Sequence, residues 1–152
     1  MLIRKADITD IEQLSKLFDE YRIFYRKDSD LLGAENFLTK RITNKESEII
    51  VAENAEKILM GFIQLYPLFS STRMKRLWLL NDLYVNEKYR EKKVSVALMN
   101  EAKVFATKTN SAGLILETEK SNVIGNNLYP NPKVGFELDI EHNFYFWNTT
   151  NN

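Results

Sequence analysis

The sequence has no cysteine and very little histidine, and both shortages exclude classes of protein. Without cysteine among the 152 residues, disulfides, thiolate metal sites and a cysteine nucleophile are excluded. His142 is the only histidine, so a multi-histidine metal site is excluded and a serine triad could use only this residue. No apolar run reaches the length of a membrane-spanning helix, and the amino terminus, MLIRKADITD, has no apolar signal segment. We therefore expect a cytoplasmic protein with no metal and no membrane partner.

The charges balance, which argues against a dedicated nucleic-acid binder. Lys plus Arg and Asp plus Glu each number 21, so the formal net charge is zero. An apolar fraction of 44% and a charged fraction of 28% are typical of an ordinary globular protein. The length suits one compact core, so residues 1–152 are expected to form a single domain.

Hydrophobic periodicity predicts alternating strands and helices. The expected helices cover about residues 10–26, Ala34 to Thr43, Val94 to Lys108 and Asn122 to Tyr129. The expected strands are Leu2 to Lys5, Glu48 to Glu53, Ile58 to Tyr66, Leu77 to Val85, Gly113 to Glu119 and Phe136 to Trp147. The segment from Leu77 to Glu119 should be a right-handed crossover with parallel strands, whereas the hairpin before it must be antiparallel. The fold class is therefore α/β (α+β), with a mixed sheet.

Two local signals set expected boundaries. Thr9 and Glu12 have the spacing of a capping box, which would begin the first helix. Pro67 lacks a backbone donor and is expected to end the strand before it, leaving Leu68 to Lys75 as a polar loop. The last strand is rich in aromatic residues, and an aromatic strand at an exposed sheet edge would favour a homodimer.

A basic turn separates the fourth strand from the long helix. Between Glu87 and Lys93 four basic residues face two acidic ones, giving a net charge of +2. The helix that begins near Val94 directs free backbone N–H groups into the same turn. The helix dipole, the free N–H donors and the mobile basic side chains together favour binding of an anion such as a diphosphate. A charged helix start that is only solvated would show the same sequence pattern.

This stretch resembles motif A of the GNAT superfamily of N-acetyltransferases, in which a strand, a Gln/Arg-x-x-Gly-x-Gly/Ala turn and a helix hold acetyl-coenzyme A. Leu83, Tyr84 and Val85 match the strand that meets the pantetheine arm, and Arg90 matches the Gln/Arg position. In the turn and helix start, Lys93 stands at the glycine position and Ser95 at the Gly/Ala position. The resemblance therefore implies a cofactor-binding turn made of Arg90, Glu91, Lys92, Lys93, Val94 and Ser95.

A second signature lies further along the chain and extends the resemblance to nearly its whole length. Leu116-Glu117-Thr118, Asn122, Leu128-Tyr129 and Gly135-Phe136 resemble the family's next strand and helix. Five residues separate Tyr129 from Gly135, where the family usually has three. The resemblance implies a GNAT fold, with a central sheet of six to seven strands flanked by about four helices.

The resemblance also implies roles in acetyl transfer from acetyl-coenzyme A to a primary amine of a small molecule, an amino acid or a protein. A backbone N–H near Val85 would polarise the thioester carbonyl, and Tyr129 would protonate the coenzyme A sulfur. Asn122 would bind the pantetheine arm or position Tyr129. Asp82, polar inside an apolar strand, is the first candidate for the general base and Glu117 is the second.

Two other hypotheses stay open at the level of sequence. The substituted turn and the longer loop after Tyr129 would also fit a degenerate GNAT-fold protein that lacks acetyl-coenzyme A binding and acts as an interaction module. A related enzyme that transfers a longer acyl group would carry the same motifs. A test of coenzyme A binding would distinguish the degenerate protein from the acetyltransferase. A test of acyl-chain preference would distinguish the enzyme for longer acyl groups from the acetyltransferase.

Overall fold

The computed structural model describes residues 1–150 of the chain. The chain forms two compact units, Met1–Glu117 and Thr118–Asn152, and each is considered by itself. The expectation of a single domain remains a prediction. No helix among the described residues is both long enough and apolar enough to cross a membrane.

The first unit is built on a five-stranded mixed sheet in the order β1-β2-β3-β4-β5. Consecutive strands are antiparallel except β4 and β5, which are parallel and joined through a helix as predicted. The strands are β1 (Leu2–Lys5), β2 (Glu48–Glu53), β3 (Leu59–Ser70), β4 (Lys75–Val85) and β5 (Leu114–Ile115). The mixed α/β class is confirmed, with five strands in the described residues instead of six to seven.

The described residues contain four α-helices, as expected: α1 (Ile11–Phe24), α2 (Leu31–Thr43) and α3 (Val94–Lys108) in the first unit and α4 (Val123–Leu128) in the second. Short 3-10 helices precede α1 (Ile8–Asp10) and follow β4 (Glu87–Tyr89). The expected capping box at Thr9 and Glu12 is wrong. Asp7 and Asp10 form the box instead, because the chain enters α1 through the 3-10 turn that they close.

The core of the first unit lies between the sheet and α1 with α2. Leu14, Leu38 and Phe62 have no exposed surface, and the ring of Phe18 lies 5.6 Å from that of Phe37 and 6.1 Å from that of Phe62. Strand alternation turns Ile63 to the opposite face, against which α3 packs with Leu98, Met99 and Ala102. The sheet is therefore covered by helices on both faces.

Pro67 does not end β3, so the expected loop from Leu68 to Lys75 is largely strand. Pro67 pairs with Trp78, and β3 continues to Ser70. The pairing of β3 with β2 stops at Leu65, so Pro67 lies where β3 has a neighbour on one side only. A proline is tolerated there because its missing N–H faces no ladder partner.

Two other predicted strands differ from the structure. The strand expected over Gly113 to Glu119 is reduced to Leu114–Ile115, which pairs with Trp78 and Leu79. The strand expected over Phe136 to Trp147 is wrong, since that segment is irregular and makes no ladder within residues 1–150. A strand needs a neighbour to complete its hydrogen bonds, and neither segment has one on its outer side.

Candidate active site

The carboxyl end of β4 is paired on one side only. Its ladder with β3 extends to Val85, opposite Gly61, whereas its ladder with β5 covers only Trp78 and Leu79. The N–H of Asn86 donates to the carbonyl of Met60 at 3.0 Å, and antiparallel alternation then turns the Val85 N–H away from β3. The backbone of Leu83 to Val85 therefore presents polar groups on a side that β5 does not cover.

A bulge in β4 lies directly before this end. Gln64 pairs with Asp82 and Leu65 pairs with Leu80, so Asn81 is an extra residue without a partner in β3. Asn81 is exposed, while its neighbour Asp82 is turned inward. Bulges commonly redirect a side chain beside an active site, and this one directs Asp82 to the face of the sheet that carries Phe62.

Asp82 is a buried carboxyl group within a hydrogen-bonded network. It is 3% exposed, Gln64 Nε2 donates to its Oδ2 at 2.6 Å, and Asn81 Nδ2 donates to its Oδ1 at 3.0 Å. Ser47 Oγ in turn donates to Gln64 Oε1 at 2.8 Å. Burial raises the pKa of Asp82, and hydrogen bonds from Gln64, Tyr21 and Asn81 oppose that rise. Asp82 can therefore exchange a proton closer to neutral pH than an ordinary aspartate can.

Aromatic rings surround the bulge. The Tyr21 hydroxyl donates to the carbonyl of Asn81 at 3.4 Å, and its ring lies 5.1 Å from Tyr25 and 6.4 Å from Tyr84. Asn86 Nδ2 donates to Glu20 Oε2 at 2.8 Å, which joins α1 to the residue after β4. These contacts hold α1 against the end of β4.

The turn before α3 has the backbone of a glycine-rich turn although it contains no glycine. Glu91 has φ of 61° and Lys93 has φ of 63°, both in the left-handed region. Lys93 occupies the N-cap position of α3 without a side-chain cap, and its carbonyl accepts the N–H of Ala97 at 3.0 Å. The first amides of α3 have no acceptor within the helix, so they are available to an anion.

Arg90 connects this turn to the strand end. Its Nε donates to the carbonyl of Val85 at 3.3 Å, and its guanidinium carbon lies 5.9 Å from the centre of the Tyr84 ring. Lys92 Nζ donates to the carbonyl of Lys88 at 3.0 Å. The structure thus brings together the predicted residues Leu83 to Val85 and Arg90, with the rest of the turn following directly.

Asn122 and Tyr129 lie on either side of Gly125 in the second unit. Asn122 Oδ1 accepts the N–H of Gly125 at 3.1 Å, and its Nδ2 donates to Thr118 Oγ1 at 2.9 Å. A Cβ atom at position 125 would lie 2.7 Å from Asn122 Nδ2 and 3.1 Å from Tyr129 Cε2. The absence of a side chain at Gly125 therefore lets the predicted pair approach each other.

The longer loop after Tyr129 folds back on the residue that precedes it. Tyr129 caps the carboxyl end of α4, and its carbonyl accepts the N–H of Phe136 at 3.0 Å. Gly135, with φ of 73°, allows the chain to reverse its direction. The centre of the Phe136 ring lies 6.3 Å from that of Tyr129. The two extra residues are thereby absorbed without separating Tyr129 from Phe136.

Glu117, the second candidate base, has a different environment. It is exposed, follows the end of β5 by two residues, and has no hydrogen bond or ion pair within the described part of the chain. Residues 1–150 contain no group of three or more His, Asp or Glu side chains arranged to hold a metal ion.

Sequence reasoning missed Gln64 and Ser47, although Gln64 interrupts an apolar strand in the same way as Asp82.

Comparison with known proteins assigns the family. A sequence model of the Acetyltransferase (GNAT) family matches residues 11–136. The uncharacterized N-acetyltransferase YhfO of Bacillus subtilis (strain 168) is 43% identical over 139 residues, covering 91% of each chain. A probable acetyltransferase of Haemophilus influenzae (strain ATCC 51907 / DSM 11121 / KW20 / Rd) is 33% identical, covering 77% of this chain and 80% of its own. A crystal structure of a probable acetyltransferase, 36% identical, covers 100% of both chains with a TM-score of 0.93.

The chain belongs to the GNAT family and is an acyltransferase. The predicted family and the predicted class of enzyme are both confirmed. Acetyltransferases of this family act on amine acceptors.

Lys93→Gly tests whether position 93 carries left-handed strain. Because a left-handed residue with a Cβ costs about 1–2 kcal/mol and glycine costs the unfolded chain about 0.5–1 kcal/mol, we expect the free energy of unfolding to rise by about 0.5–1 kcal/mol. Urea denaturation measures it. In Lys92→Gly, at a neighbour outside the left-handed region, the free energy of unfolding should fall. Equal losses in both variants would contradict the assignment of strain to Lys93.

Proposed function

We propose that the protein transfers the acetyl group of acetyl-coenzyme A to a primary amine by direct attack in a ternary complex. One observation carries the proposal: in a chain of the GNAT family, the turn that lies between the uncovered end of β4 and α3 contains two left-handed residues. This geometry supports cofactor binding even though lysine replaces glycine.

The turn fits a diphosphate. The first amides of α3 supply donors and the positive end of the helix dipole, and the short side chain of Ser95 leaves space near them. Arg90, Lys92 and Lys93 supply positive charge from exposed positions. The left-handed backbone of Glu91 and Lys93 gives the chain the reversal that glycine provides elsewhere. These residues would hold the diphosphate of coenzyme A.

The end of β4 fits the pantetheine arm and the thioester. Leu83 and Val85 would hydrogen-bond the arm through backbone groups that β5 leaves uncovered. The N–H of Val85 would stabilise the oxyanion that forms when the amine attacks. Asn122 would contact the arm or position Tyr129, in keeping with its place beside Gly125.

Two proton transfers complete the reaction. The attacking amine forms a bond to the acyl carbon and loses a proton, which Asp82 would accept directly or through water. The carbon–sulfur bond then breaks, and Tyr129 would give its proton to the departing thiolate. The environment of Asp82 supports it over Glu117 as the base, because burial raises the pKa of Asp82 while Glu117 is exposed.

The acceptor would approach the aromatic side of the bulge. Tyr21, Tyr25 and Tyr84 offer ring faces and edges near the Asp82 carboxyl group, a combination that suits a cationic or neutral amine. A small molecule, an amino acid or an exposed protein amine would satisfy this chemistry. The proposal includes a cytoplasmic location, no metal, no nucleic acid, and a second copy of the chain as partner.

Calorimetric titration with acetyl-coenzyme A tests the proposal first. We expect a micromolar Kd that weakens as salt rises, because the turn holds the diphosphate through exposed cations. Lys93→Gln should weaken binding about 1.4- to fivefold, since an exposed ion pair contributes about 0.2–1 kcal/mol. Lys45→Gln, another left-handed lysine, is the matched control and should bind as the wild type does. Absence of binding by a cooperatively folded protein would overturn the proposal.

Asp82→Asn should remove the acid limb of the pH–rate profile. The base works only when deprotonated, so the wild-type kcat/KM should fall as pH drops through the Asp82 pKa, which burial places above its usual range. The variant should lose about 10²- to 10⁴-fold in rate and show no such limb. Glu117→Gln should retain both the rate and the limb. An acid limb that survives in Asp82→Asn would exclude Asp82 as the base.

Tyr129→Phe should lower kcat and leave the affinity for acetyl-coenzyme A unchanged. Loss of the phenolic proton removes the acid for the leaving thiolate, worth about 10²- to 10⁴-fold, and abolishes the basic limb of the profile. Steady-state kinetics over a range of pH, together with calorimetry, measures both effects. Tyr145→Phe, at an 85% exposed tyrosine of the same unit, is the control. An unchanged kcat in Tyr129→Phe would remove this residue from the mechanism.

A further inference from the structure

Gln64 is a buried amide side chain to which the proposed chemistry assigns no role. It has no exposed surface, and its neighbours in β3, Phe62, Ile63 and Leu65, are apolar and equally buried. A buried amide is costly unless its oxygen and its N–H groups find hydrogen-bonding partners. An apolar side chain would avoid that cost, so the partners of the Gln64 amide indicate what this residue contributes.

The amide of Gln64 connects three strands of the sheet. Gln64 lies directly opposite Asp82 in the ladder between β3 and β4, and its Nε2 donates to Asp82 Oδ2 at 2.6 Å. On the other side, the hydroxyl of Ser47, the residue before β2, donates to Gln64 Oε1 at 2.8 Å. Ser47 is half-buried, whereas Gln64 and Asp82 are buried. The three side chains therefore form one chain of hydrogen bonds that ends on the carboxyl group.

This chain of hydrogen bonds fixes the orientation of the amide. Reversing the amide would place Gln64 Oε1 against Asp82 Oδ2, and two acceptors in contact repel each other when the carboxyl group is ionised. The Ser47 hydroxyl favours the observed orientation, because it donates to the amide oxygen and thereby strengthens the amide N–H as a donor. The orientation therefore stabilises the ionised form of Asp82, which is the form that can accept a proton.

Three ionisable side chains from neighbouring elements face this group. Tyr21 of α1 hydrogen-bonds to Asp82. Burial and the charge of Asp82 raise the pKa of Tyr66 in β3 to about 12, so Tyr66 is neutral near pH 7, and Arg41 of α2 opposes that rise. The hydrogen bonds that favour the Asp82 carboxylate thus come from neutral donors, and loss of one donor should change its affinity for a proton.

We propose that Gln64 and Ser47 are positioning residues that orient the Asp82 carboxyl group for proton transfer, with Ser47 acting through Gln64. The inference rests on the proposed role of Asp82 as the base. Gln64 holds Oδ2 while Asn81 holds Oδ1, so the carboxyl group keeps the direction that the bulge in β4 gives it. A carboxylate oxygen has two lone pairs, so each oxygen keeps one for the incoming proton.

An NMR titration of the Asp82 carboxyl carbon tests this role without relying on activity. The spectrum of Asp82→Asn identifies the signal in protein labelled at its aspartate carbons. Gln64→Met, which keeps a side chain of similar length but has no donor, should raise the Asp82 pKa by about 1–2 pH units, because the charged form loses a hydrogen bond. Ser47→Ala should raise it by about 0.2–0.5 pH units, since the amide remains but is a weaker donor.

Ser47→Thr keeps the hydroxyl and should restore the wild-type pKa of Asp82. An unchanged pKa in Gln64→Met, or equal values in Ser47→Ala and Ser47→Thr, would overturn the proposal. If Gln64→Met fails to fold, the two Ser47 variants decide the question.

Thr109→Val is the control for a hydrogen bond lost elsewhere in the same unit. The Thr109 hydroxyl accepts the indole N–H of Trp78 at 2.9 Å, so the variant loses a partly buried hydrogen bond that does not involve Asp82. The Asp82 pKa should equal that of the wild type. A shift as large as that in Gln64→Met would indicate a general effect of destabilisation and would overturn the proposal.

Kinetics separates this inference from the proposed function. In Gln64→Met, the acid limb of kcat/KM should move to higher pH by the same amount as the pKa measured by NMR. If Asp82→Asn removes the limb but Gln64→Met leaves it in place, the proposed base stands and the positioning role is overturned. If the limb survives in Asp82→Asn, the proposed base fails and the positioning role fails with it.

Discussion

The unequal pairing of β4 is the constraint on which the candidate site depends. β3 pairs with β4 as far as Val85, while β5 leaves it after Leu79. A backbone left uncovered in this way needs other hydrogen-bonding partners, and a polar ligand can supply them. Arg90 already uses the carbonyl of Val85, which joins the strand end to the turn before α3. The same feature thus puts the strand end that we propose for an extended ligand beside the turn that we propose for an anion.

The cost of burying the carboxyl group of Asp82 has to be offset by hydrogen bonds from its neighbours. An isolated carboxylate in an apolar sheet would cost several kcal/mol, and the network from Gln64, Asn81 and Ser47 offsets part of that cost. The network has no fixed positive charge that would lower the pKa strongly, so the raised pKa persists. An arginine partner stabilises a buried carboxylate more than neutral donors do, and a carboxyl group with only a structural role can have one, as Asp10 has Arg4.

Sequence reasoning succeeded where local pattern and tertiary environment agree. The bounds of α3 and β1 follow from periodicity, and Asp82, which interrupts an apolar strand in the sequence, is buried in the structure. Sequence reasoning failed where the presence or absence of a neighbouring strand determines the local structure. Pro67 continues a strand because β2 has already ended, which no local signal reports. The tail has the composition of a strand, but a strand also requires an edge to pair with.

The loss of glycine from the turn does not by itself indicate a lost function. Across the described residues, seven non-glycine residues adopt positive φ, three of them lysines, whereas the chain has only five glycines. This protein therefore commonly places ordinary side chains in left-handed backbone. Lys93 is one of these residues, and its side chain adds a cation at the start of α3. A degenerate turn would instead be expected to relax toward an ordinary helix entry, because nothing would then offset about 1–2 kcal/mol of strain.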